Sequence, residues 1–334
     1  MTEIGVAHVQ GLYHHTDGGT GSFVQDGAYA VHTMLGAGTI ELWLGNYSTL
    51  YSLEPAWSAV PTTLKTQAQL TEFSGVFAHA NLTNFILKCF TYNDGGGDLW
   101  KFDTTNMQTY LAAEYTEIYD LAVHLLSTYS GKNFVIMCSE LDWVLNGVSE
   151  SGLVPPRRID YALAWNQTRQ RAVRDARHAT NSTSTVQYAV DVNRVHRYVI
   201  GNPSREWCIN KLLPRMDCDL VGYSAYDIGI EQQGGDEAEM IAYMDQWFPE
   251  CLDRIMQASG KQVFISECGI DEIQLPGSYS EANIIDSWLS YASAANCPYF
   301  IFWEIWNNEP GRMFGMYDAT NTLTASGAHV QSLL

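Results

Sequence analysis

Lys261-Gln-Val-Phe-Ile-Ser-Glu267-Cys-Gly269 is a run of apolar and β-branched residues, short enough for a buried strand, that ends abruptly in a carboxylate and a glycine. A carboxylate is tolerated in a core only when something is paired with it. At the C-terminal end of a buried parallel strand it would instead sit at the mouth of a barrel, where α/β enzymes keep their reactive groups. Asn133-Phe-Val-Ile-Met-Cys-Ser-Glu140 repeats the arrangement earlier in the chain. Two glutamates, each ending its own strand, are a candidate acid and nucleophile.

Working outward, strand-like runs alternate with helical stretches throughout. The strands are expected at Ile4–Val9, Thr39–Leu44, Asn84–Thr91, Asn133–Cys138, Val186–Val192, Asp219–Tyr223, Gln262–Ser266 and Tyr299–Ile305. Thr109–Tyr129, Ala238–Met256 and Glu281–Ala295 carry apolar residues at helical spacing. Ser280-Glu281 and Asp160-Tyr161 read as helix starts. Eight strand–helix units predict a parallel sheet closed as a (β/α)8 TIM barrel, one catalytic domain over residues 1–334. An open doubly wound sheet would also alternate, but no G-x-G-x-x-G follows the first strand and no phosphate-binding P-loop is present.

Composition narrows the function. The formal charge of −19 arises from 37 acidic and 18 basic residues, and it argues against a nucleic-acid partner, which requires a basic footprint. No apolar run approaches the ~20 residues of a membrane span, so no membrane partner is expected. The start, Met1-Thr-Glu-Ile-Gly-Val, has no basic segment leading into an apolar one, so no signal peptide is written in it. A mature secreted form given a new initiator methionine would look the same. Seven cysteines without C-x-x-C pairing indicate neither a zinc module nor a redox dithiol. With no H-E-x-x-H or other ligand spacing, no metal and no cofactor is implied.

The loops after the strands carry the chemistry. They hold Gln10-Gly-Leu-Tyr-His14-His15, Tyr92 to Trp100, Leu141-Asp142-Trp143, Asn193-Arg194, Ser224-Ala-Tyr226-Asp227 and Trp306-Asn-Asn-Glu309. Aromatic faces stack on the apolar faces of sugar rings, while carboxylates and amides bond hydroxyls, so this rim suits a carbohydrate partner. Cleavage of a glycosidic bond with retention needs one protonated and one ionised carboxyl, about 5–5.5 Å apart. A barrel that only binds glycans would keep the aromatic rim but has no need of paired carboxylates. A transglycosylase, or a barrel enzyme of unrelated chemistry, is a further alternative.

Phe264-Ile-Ser-Glu267-Cys-Gly269, Glu140 and the last-strand Phe300-Ile-Phe-Trp303-Glu304 resemble the clan A glycoside hydrolases, retaining (β/α)8 enzymes, in a little-described branch. The resemblance implies Glu140 as acid/base and Glu267 as nucleophile. It implies Tyr226, with Tyr223 as the alternative, as the tyrosine bonded to the nucleophile, and Trp303 as the floor under the reacting sugar. One departure is Ser139, where most of the clan has an asparagine that contacts the sugar 2-hydroxyl; Asn193 could supply that contact. Trp143 and Trp100 are expected as subsite platforms or loop anchors.

Other residues read more plainly. Glu304 is expected inside the eighth strand, facing away from Trp303, in a paired structural role. Asp191 and Asn193 share a strand face, so one could be buried while the other meets substrate. Asp142 fits a rim hydrogen-bonding role. His14-His15 fits a rim or surface position, and Arg169, Arg171, Arg174 and Arg177 fit a solvated helix face paired with acids.

Overall fold

The structure, a computed structural model, describes residues 2–94, 106–146, 154–201, 207–228 and 236–334. Eight parallel strands follow one another around a closed barrel: β1 (Glu3–Ala7), β2 (Thr39–Leu44), β3 (Asn84–Cys89), β4 (Asn133–Met137), β5 (Thr185–Val192), β6 (Leu220–Ser224), β7 (Gln262–Cys268) and β8 (Tyr299–Phe302). β8 closes the ring by pairing with β1, Glu3 opposite Tyr299. This is the expected TIM barrel. The eighth strand is shorter than its apolar run, stopping at Phe302, so Trp303 and Glu304 lie beyond its end.

The principal helices of the outer layer are α1 (Phe23–Tyr29), α2 (Thr71–Ala78), α3 (Met107–Thr128), α4 (Pro156–Ala179), α5 (Val195–Ile200), α6 (Glu237–Ser259), α7 (Glu281–Ala294) and α8 (Ala325–Leu333). α7 starts where its cap predicts, the Ser280 hydroxyl accepting from the Asn283 N–H. α4 starts earlier than the Asp160 expectation, at Pro156. Proline suits a first helical turn because the N–H it lacks would be unpaired there anyway.

Strands covered on both faces read as continuous apolar runs, and all six residues of β3 are buried. Polar residues inside the barrel therefore stand out. At its N-terminal end, Asn84 Nδ2 donates to Thr39 Oγ1 (3.1 Å), Asn133 Nδ2 to Asn84 Oδ1 (2.9 Å) and Thr185 Oγ1 to Asn133 Oδ1 (2.9 Å). These residues are mutual partners in the strand register, so the ladder pins β2 to β5 against slippage.

Arg169 of α4 departs from the solvated-face expectation. It is fully buried, pairs with Glu114 of α3, donates to the Cys89 carbonyl (2.8 Å) and lies 3.9 Å over the Trp165 ring. It braces α3 and α4 against the C-terminal end of β3.

Candidate active site

β7 aims its residues through a register shift. Tyr223 of β6 pairs with Ile265, but the next residue, Ser224, pairs with Glu267. Ser266 is the extra residue of a bulge, which changes where the following side chain points. Strict alternation would send Ser266 and Glu267 to opposite faces. With the bulge, Ser266 Oγ donates to Asp191 Oδ1 (2.6 Å) while the Glu267 carboxylate accepts from Lys88 Nζ. Gly222 on β6 makes room for this. A Cβ there would lie 2.8 Å from the Ser266 Cβ and 3.2 Å from Asp191 Oδ1.

Glu140 stands in the loop after β4. Its N–H donates to Asp191 Oδ2 (3.1 Å), and its Oε1 accepts from Asn193 Nδ2 (3.2 Å). Glu140 and Glu267 face one cavity of about 380 Å³, whose walls are Trp43, Trp303, Tyr226 and Phe314, with Gln274, Glu309 and Arg312 toward the β7 and β8 loops. Trp43 and Trp303 meet with ring centroids 5.8 Å apart. A larger groove of about 550 Å³ runs outside the barrel along α3 and α4, lined by residues such as Leu111, Gln167 and Arg171. It holds no facing carboxylates.

Lys88 lies at the centre of the barrel mouth. It is fully buried and, besides Glu267, has Asp191 Oδ2 at 3.4 Å and Glu41 Oε1 at 3.8 Å. Burial acts to lower its pKa, but Glu41, Asp191 and Glu140 outweigh it, and the ammonium titrates above the ordinary lysine value. A lysine held protonated is no imine-forming nucleophile. Burial pushes Glu140 up to about 7, against the pull of Lys88, with Asp191 adding to the rise. Burial likewise raises Glu41, which accepts from Trp43 Nε1 (2.8 Å) on one oxygen.

The other expected residues divide. Trp303 lines the cavity. Tyr226 lines it too, but its hydroxyl is buried without a protein hydrogen bond among the described residues, and Glu267 is bonded by Lys88 instead. Tyr223 points away from the cavity. Its hydroxyl donates to Asp227 Oδ1 (2.5 Å), and its ring packs 6.2 Å from Phe248 of α6. Trp143 is not among the cavity walls. It carries the Arg194 guanidinium 4.0 Å over its ring, which makes it a loop anchor. Trp100 lies outside the described residues. Asn193 is buried against Glu140, and Asp142 joins loops by accepting from the Asn193 and Cys208 N–H groups. Glu304 has no cationic partner among the described residues: it is fully buried and accepts from the Asn308 N–H (2.7 Å). His14 bonds Asp26 (3.0 Å) and His15 the Asp318 carbonyl (3.0 Å).

Glu41, Lys88 and Trp43 escaped the reading of the sequence, although a signal was present. A charged residue inside Asn84-Phe-Ile-Leu-Lys88-Cys89, and another inside Thr39-Ile-Glu41-Leu-Trp43-Leu44, calls for a buried partner just as Glu267 does.

The chain matches no protein-family model and no curated protein. Among solved structures it is similar to a GH5_18 protein from Bifidobacterium longum subsp. longum ATCC 55813, at 14% identity and a TM-score of 0.62, over 99% of this chain and 78% of that one. It is also similar to the exo-β-1,4-mannosidase Op5Man5 from Opitutaceae bacterium strain TAV5, at 12% identity and a TM-score of 0.63, over 99% of this chain and 59% of the other. Endo-glycoceramidase II from Rhodococcus sp. follows, at 13% identity and a TM-score of 0.61, over 99% and 78%. At such identities the likeness concerns the fold alone, a (β/α)8 barrel.

Proposed function

We propose that the protein is a retaining β-glycoside hydrolase acting on an oligosaccharide or polysaccharide. The observation that carries this reading is that Glu140, from the loop after β4, and Glu267, from β7, face one aromatic-walled cavity, and that of the two Glu267 has the direct contact with the Lys88 ammonium. Glu140 is crowded by protein and titrates near 7, which suits a general acid that must hold its proton near neutral pH. Glu267 accepts from a buried ammonium, which suits a carboxylate nucleophile.

In the reaction, Glu267 attacks the anomeric carbon while Glu140 protonates the departing oxygen, giving a glycosyl-enzyme ester. Glu140, now a carboxylate, takes a proton from water, and the hydroxide oxygen displaces Glu267. Trp303 and Trp43 would hold the sugar ring by stacking. The Tyr226 hydroxyl, on the cavity wall, would bond the sugar hydroxyls or the ring oxygen, and Asn193 would act from beside Glu140, to which its amide donates. The name of one structural neighbour, an exo-β-1,4-mannosidase, is consistent with β-linked substrates.

The test is a panel of dinitrophenyl β-glycosides and β-linked oligosaccharides followed by proton NMR. The β-anomer should appear first and mutarotate later. First appearance of the α-anomer would replace the mechanism with inversion, and cleavage of nothing in the panel would favour a glycan-binding barrel.

A further inference from the structure

We propose that Lys88 is a positioning residue for the covalent step: it aims Glu267 as a carboxylate in the free enzyme and transfers its contact to Asp191 once Glu267 is esterified. This rests on Glu267 being the nucleophile. The ammonium is fully buried, so it cannot exchange a lost partner for water. Its Glu267 contact must weaken when that carboxylate becomes a neutral ester.

The surrounding groups show where the charge goes. Glu41 approaches from β2, Asp191 from β5 and Glu267 from β7, while Glu140 acts from the loop after β4. Trp43 covers the ammonium, its ring centroid 5.2 Å away. Tyr226, a neutral phenol, lines the cavity beside Glu140, and Arg194 acts on Glu140 from beyond β5. Asp191 is the nearest replacement, only 3.4 Å from Nζ. It is also locked in place, accepting from Ser266 Oγ (2.6 Å), Ser224 Oγ (3.2 Å) and the Glu140 N–H (3.1 Å).

The charge balance closes without another reagent. One Glu267 oxygen bonds the anomeric carbon as the bond to the leaving oxygen breaks, and that oxygen takes the Glu140 proton. Negative charge thus leaves Glu267 and appears on Glu140, and Lys88 lies within the field of both. Asp191 ties the two halves together because it touches Lys88 and holds the Glu140 backbone. Lys88 needs to swing only a short way to follow the charge.

The experiment combines trapping with substitution. Wild-type enzyme is incubated with dinitrophenyl 2-deoxy-2-fluoro-β-glycosides of gluco and manno configuration, and the labelled peptide is mapped. A crystal structure of the trapped enzyme should show Nζ drawn closer to Asp191 Oδ2 than the 3.4 Å of the free enzyme and parted from Glu267. Lys88→Gln, checked for folding by circular dichroism, should lose about 100-fold in kcat/KM, carried by kcat rather than KM. Both limbs of its pH profile should move upward by about one unit, because a cation that favoured two carboxylates is gone. Lys88→Arg should recover most of the rate and the original limbs. A purely structural lysine would lower activity at every pH without moving the limbs. If Glu267 is labelled but Nζ does not move, or Lys88→Gln keeps its pH profile, the inference falls and the proposed reaction stands. If the label is found on another residue, the reaction assignment falls and takes the inference with it.

Discussion

Glu140 and Glu267 have different work in the proposed reaction, and single substitutions separate them. Glu267→Ala should abolish turnover, since no ester can form, and added azide should restore part of it with inverted product. Glu140→Ala should spare dinitrophenyl substrates, whose leaving group departs without a proton, and azide should then give product of retained configuration. The roles are exchanged if each variant behaves as the other is expected to, and the site lies elsewhere if both keep full activity. Because burial holds the Glu140 carboxyl up at about 7, the general acid is lost as pH rises through that value. The alkaline limb of kcat/KM should therefore fall near pH 7, and Glu140→Gln should remove that limb. At this scale the carboxylates and Trp303 were legible because each stands where an apolar strand runs out. Lys88 and Glu41 were hidden because they interrupt strands instead of ending them, and no single sequence window shows that they face each other across a barrel. Tyr223 and Tyr226 could not be told apart by sequence, since one turn after β6 decides which hydroxyl meets Asp227 and which faces the cavity.

Among the elements, β7 and α4 do the most to place the site. The bulge at Ser266 depends on the missing side chain of Gly222, so Gly222→Ala should force Ser266 and Asp191 apart. Overpacking of this kind costs about 1–3 kcal/mol. It should lower the thermal midpoint and reduce kcat well beyond what that loss of stability explains; an unchanged kcat would show that the Asp191 cluster tolerates displacement. Arg169→Ala leaves Glu114 buried without its partner and should cost about 3–5 kcal/mol, measured by denaturant unfolding. Strand order and the barrel itself were legible, because eight apolar runs separated by helical stretches admit few closures. Strand ends were less so: the apolar run Tyr299-Phe-Ile-Phe-Trp303 continues past Phe302, where pairing stops. Nor does the pattern around Arg169 reveal burial, since four arginines at helical spacing look like a wet face until α3 is packed against them. The bulge has no sequence signature at all, being a property of two strands in register.

Across the whole molecule, acid groups buried without full compensation set how stability follows pH. Burial raises Glu140 and Asp227 to about 7 from the ordinary carboxylate range, so the folded chain binds those protons more tightly than the unfolded one. Their contribution is fully present below about pH 4 and is lost as pH rises through about 7. The net charge of −19 adds self-repulsion in the same direction. The midpoint of thermal unfolding should be higher at pH 5 than at pH 8, by roughly 5 °C; the opposite order would mean that the paired carboxylates dominate. Closure of the ring has its consequence in time. Glu3 pairs with Tyr299, so the first strand made waits for the last. At about 5–20 residues per second, a ribosome takes roughly 15–60 s to cover that distance. Throughout that interval one edge of β1 is an open template for another chain. A nascent chain halted before residue 299 should therefore be protease-sensitive and bound by chaperones, and cellular yield should track the speed of translation more closely than the stability of the finished barrel.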